Sequence, residues 1–114
     1  MSKSANSGEQ VTLRANVNKS IWQLHKAESR VSALFNAFTI AEDTFKAKEA
    51  VLNALTNDSK TERAALDEAA ARVGEAADIL TAATRELQVG EIMVATIEVE
   101  LASAIARAKA AYAI

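Results

Sequence analysis

The chain has no cysteine and no proline, and its 114 residues include only three glycines and five aromatic side chains. Without cysteine there is no disulfide framework and no thiolate metal site. Without proline nothing removes a backbone donor or forces a kink, so long helices are permitted throughout. The scarcity of glycine removes the usual material of turns and phosphate loops. Gly74 and Gly90 stand alone inside otherwise helical pattern. No signal-peptide core follows the polar start MSKSANSGEQ, and no run reaches the roughly 18–20 uncharged apolar residues of a membrane span. The most apolar stretch, 92–106, is interrupted by Glu98 and Glu100. The expected compartment is the cytoplasm, with leaderless secretion left open.

A basic excess is also lacking. The formal net charge is −2, which argues against nucleic acid as a partner, because phosphate binding needs a basic face. The charge is uneven. Through Asn57 there are seven Lys/Arg against five Asp/Glu; from Asp58 onward there are six against ten. Two arms of opposite sign attract weakly, about 0–1 kcal/mol per exposed pair.

What remains is alanine with Leu, Glu, Lys and Arg, the composition of long helices. The clearest break is TNDSKTE at 56–62. Asn57, Asp58 and Ser59 are turn formers, and Ser59 with Glu62 has the capping-box spacing that starts a helix near Lys60. Ser7-Gly8-Glu9-Gln10 carries a similar helix start, leaving 1–6 as a disordered tail. Residues 7–114 then form one all-α domain: arm one about 8–56, a turn at 57–59 and arm two about 60–112.

The heptads support a hairpin. On arm two Leu66, Val73, Leu80, Leu87, Val94 and Leu101 step by seven, each followed three residues later by a small residue or Ile97. On arm one Val17, Leu24, Val31, Phe38, Phe45 and Leu52 also step by seven. Pairing Leu52 with Leu66, and so on outward to Val17 with Leu101, centres every pair on residue 59, inside the turn read from local chemistry. The expected fold is a long antiparallel two-helix coiled-coil hairpin, with arms of roughly 70 Å. Phe35, Phe38 and Phe45 are expected to cover the small residues of arm two. Thr39-Ile40-Ala41-Glu42 is a second capping pattern and allows an alternative in which arm one restarts after a kink near Phe38.

Off the seam, the tip half is charged: Asp43, Lys46, Asp67, Glu68, Glu75 and Asp78. The open half is not. Trp22, Val89, Ile92, Met93, Val99 and Ile105 fall outside the seam and form a second apolar surface, expected to join Trp22 to Ile92 and Val99. Exposed apolar patches mark interaction sites. This surface is expected to pair the hairpin with itself, or with another helical protein, in a four-helix bundle or larger assembly. A lipid or particle surface is the alternative partner, although Glu91, Glu98 and Glu100 flank the face instead of Lys/Arg.

No catalytic constellation is present. His25-Lys26-Ala27-Glu28 reverses the Glu-x-x-His order of carboxylate-bridged metal bundles, and Glu28, Glu42 and Glu49 sit at the seam edge, where solvated charges are normal. There is no nucleophile elbow and no zinc spacing. The expectation is a non-enzymatic structural subunit or adaptor without metal or cofactor.

Overall fold

Fifty-five consecutive residues form one helix. In the computed structural model, which describes the backbone of residues 3–112 and the side chains of residues 8–112, α1 spans Lys3–Asn57 and α2 spans Arg63–Tyr112. The two pack against each other as a helical hairpin, with no strand among the described residues.

Helix α1 begins earlier than Ser7, so Ser7 and Gly8 are inside it instead of capping it. Residues 3–6, expected in a tail, are helical; Met1 and Ser2 lie outside the described residues. No proline stops propagation toward the N-terminus, and each added helical residue gains a hydrogen bond. Thr12 Oγ1 donates to the Gly8 carbonyl at 3.1 Å, the i−4 bond of a threonine within a helix. The second capping pattern is also absorbed. Thr39 Oγ1 donates back to the Phe35 carbonyl at 3.0 Å, and α1 continues through it without a break. Glu42 meanwhile faces Lys46, with 3.7 Å between Glu42 Oε1 and Lys46 Nζ.

The link between the helices is 58–62 instead of 57–59, because Asn57 closes α1, and Asp58 organises it. The Lys60 amide donates to Asp58 Oδ1 at 2.9 Å, and the Thr61 amide donates to the Asp58 carbonyl at 3.1 Å. This Asx turn takes the chain past Ser59 before a helix can start. Helix α2 opens at Arg63, with the Ala65 and Leu66 amides donating to the Glu62 carbonyl at 3.1 and 3.2 Å. Ser59 and Glu62 form no capping box among the described hydrogen bonds. The Asp58 turn instead holds the Lys60 and Thr61 amides, so the helix starts at Arg63.

The chain divides into two compact units. The tip unit is Ser32–Val89; the terminal unit combines the segments up to Val31 and from Gly90 onward. In the tip unit Ala41, Ala69 and Ala76 are buried, while Phe38, Phe45, Leu52, Leu66, Val73, Leu80 and Leu87 are half-buried. In the terminal unit Ala27, Gly90 and Ala104 are buried, while Val17, Leu24, Val31, Val94 and Leu101 are half-buried. The Gln10 side-chain amide donates to the Ala111 carbonyl at 3.2 Å, and the Arg14 guanidinium lies 5.7 Å from the Tyr112 ring centroid. These contacts tie the two helices of that unit together.

A second heptad row on α1 also faces the partner helix. Leu13, Ser20, Ala27, Leu34, Ala41 and Leu55 are all buried or half-buried; only Lys48 in that row is exposed. Both helices therefore present two rows to each other, as coiled-coil packing requires.

Candidate interaction surface

Every residue withdrawn from solvent among the described ones is an alanine or Gly90, and no large side chain is fully buried. Two helices have only one shared interface, so a bulky side chain on that seam keeps one flank open to water. The accessible surface is 8159 Å².

The terminal unit carries a groove of about 530 Å³. Helix α1 lines it with Trp22, Gln23, Lys26, Ala27 and Arg30; α2 lines it with Met93, Ile97 and Glu100. Trp22 is 62% exposed although it is the largest apolar side chain in the protein. Lys26 Nζ stands 4.8 Å from its ring centroid, a cation–π arrangement that positions the indole over the groove.

The expected apolar residues separate. Met93, 49% exposed, joins Trp22 in the groove. Ile92 and Val99 are 66% and 70% exposed but do not line it. They project from the face of α2 turned away from the seam, whereas Met93 and Glu100 stand beside Ile97 at the seam's edge. Trp22 is therefore joined to Met93 and Ile97, not to Ile92 and Val99. Ile105, expected on the open face, is half-buried. Val89 is exposed within the tip unit.

Apolar exposure is not confined to one end. In the tip unit Phe35, Ile40, Val51 and Ile79 are exposed as well. Ile40 and Ile79 line a smaller groove with Ala37, Ala41, Thr44 and Ala76. Phe35 turns outward and leans on Phe38, ring centroids 6.4 Å apart, in place of covering the small residues of α2. The expectation of a polar off-seam face at the tip therefore holds only in part, since Phe35, Ile40, Val51 and Ile79 are exposed beside its charged residues.

The ionic contacts are local and solvated. Arg72 bridges Glu68 and Glu75, Arg63 faces Asp67, and the single histidine, His25, faces Glu28 on the same helix. Exposed pairs of this kind contribute about 0–1 kcal/mol each. Among the described residues no three His, Asp or Glu side chains converge as metal ligands, and no helix is long and apolar enough to cross a membrane.

No known protein family, curated protein or solved structure matches the chain.

Proposed function

We propose that this chain is a non-enzymatic helical assembly protein whose hairpin completes its core by associating with further copies of itself. One observation carries the reading: among the described residues the buried ones are alanines and Gly90 alone, while Phe38, Phe45, Leu80, Leu87, Leu101 and the other bulky seam residues stay half in water. Trp22, the kind of residue that dominates interface energy, stands ready at the terminal unit's groove.

A lipid surface is the competing cover. Lys26 and Arg30 beside Trp22 favour it; Glu100 on the opposite wall disfavours it. Sedimentation of the purified chain at micromolar concentration, with and without anionic phospholipid vesicles, separates the two. A stable multimer without vesicles supports self-association. A monomer that pellets only with vesicles supports the lipid reading.

A further inference from the structure

The groove at Trp22 has walls of opposite sign. Helix α1 contributes Lys26 and Arg30, with Lys19 one heptad before Lys26; α2 contributes Glu100. No salt bridge among the described residues engages Lys26, Arg30 or Glu100, and all three are exposed. Between the walls the groove is apolar, formed by Trp22, Ala27, Met93 and Ile97.

Resting on the self-association reading above, we propose that two copies pair like end to like end through this groove. In that pairing α1 of each lies against α2 of the other, so that Lys26 and Arg30 meet the partner's Glu100 across Trp22, Met93 and Ile97.

Closed dimers are most often two-fold symmetric, and a two-fold interface must be complementary to itself. A two-fold axis running along the helices exchanges left for right, so the basic wall of one copy faces the acidic wall of the other. The groove meets that condition unaided. An acidic peptide or an anionic lipid headgroup would satisfy Lys26 and Arg30 but confront Glu100. The tip groove is a poorer mate, because Ala37, Ile40, Ala41, Thr44, Ala76 and Ile79 offer no charge to either wall. Trp22 fits the centre of such an interface, where buried aromatics carry most of the energy.

Charge reversal tests the pairing. Glu100→Lys makes both walls basic, and the double variant Lys26→Glu/Arg30→Glu makes both acidic. Each variant alone is expected to weaken self-association by about tenfold or more, since like charges face each other twice across the symmetric interface. An equimolar mixture of the two is expected to recover the wild-type multimer mass as a heteromer, because each basic wall then meets an acidic one. Circular dichroism is expected to show unchanged helicity in both variants, as the substituted side chains are exposed. A wild-type multimer whose variants keep its mass, or whose mixture fails to recover it, overturns this pairing and leaves self-association through another face. A monomeric wild type overturns both, and its capture by anionic phospholipid vesicles would make the groove a lipid site.

Discussion

Lys26 Nζ stands 4.8 Å from the centre of the Trp22 ring, one turn further along α1, and the ring itself is 62% exposed. The contact steadies an aromatic side chain that nothing in its own unit covers. Trp22→Ala is expected to weaken self-association by about 2 kcal/mol or more, the usual scale for a central aromatic. Helicity is expected to stay unchanged, because the residue lies off the seam. Sedimentation gives the mass and circular dichroism the helicity; an unaltered mass removes Trp22 from the interface.

Ala104 is 3% exposed, the most enclosed side chain described. Two helices approach closely there only because the residue is small. Ala104→Leu is expected to cost about 1–3 kcal/mol through overpacking. A urea midpoint equal to or above that of the wild type would show that the helices are not in close contact at this level.

Gly74 gives the opposite expectation. It is exposed within α2, and a Cβ built there meets nothing within 4 Å. Gly74→Ala is expected to stabilise the protein by about 0.5–1 kcal/mol, the helix-interior difference between the two residues. A lower midpoint would mean that a neighbouring chain occupies the space beside Gly74.

The turn separates tolerance from specificity. Asp58→Ala removes the acceptor of the Lys60 amide and is expected to cost about 0.5–1.5 kcal/mol, the net worth of one hydrogen bond. Ser59→Ala is expected to cost less, since Ser59 caps nothing. Inserting two glycines after Ser59 is expected to cost under about 1 kcal/mol, because loop entropy grows slowly with length. Equal losses for Asp58→Ala and Ser59→Ala in urea unfolding would contradict the Asx turn.

The hairpin was legible because two independent patterns met at one residue: the heptads of both arms centre on residue 59, and the turn formers Asn57, Asp58 and Ser59 lie there. The second row of α1 was harder to see. Ser20 and Lys48 interrupt it, and Ala27 and Ala41 look like helix formers instead of contact residues. Within the turn, Ser59 and Asp58 offer two motifs to neighbouring amides, and the folded backbone shows that of Asp58. The candidate surface was legible in part. An unpaired tryptophan marks itself, but its neighbours across the groove depend on how α2 turns its side chains. That rotation brings in Met93 and Ile97 and leaves Ile92 and Val99 outside. The tip groove carried no periodic mark, because Ile40 and Ile79 occur once each on their faces.

The mass of the wild-type chain in solution bears most directly on self-association. Sedimentation equilibrium of the full chain across the micromolar range is expected to give at least twice the 12.1 kDa of one chain, with the mass falling toward that of one chain on dilution. Trp22 emission is expected to shift to the red over the same dilution, as the indole passes from an interface to water. A 12.1 kDa species at high micromolar concentration, with Trp22 emission independent of concentration, would contradict self-association.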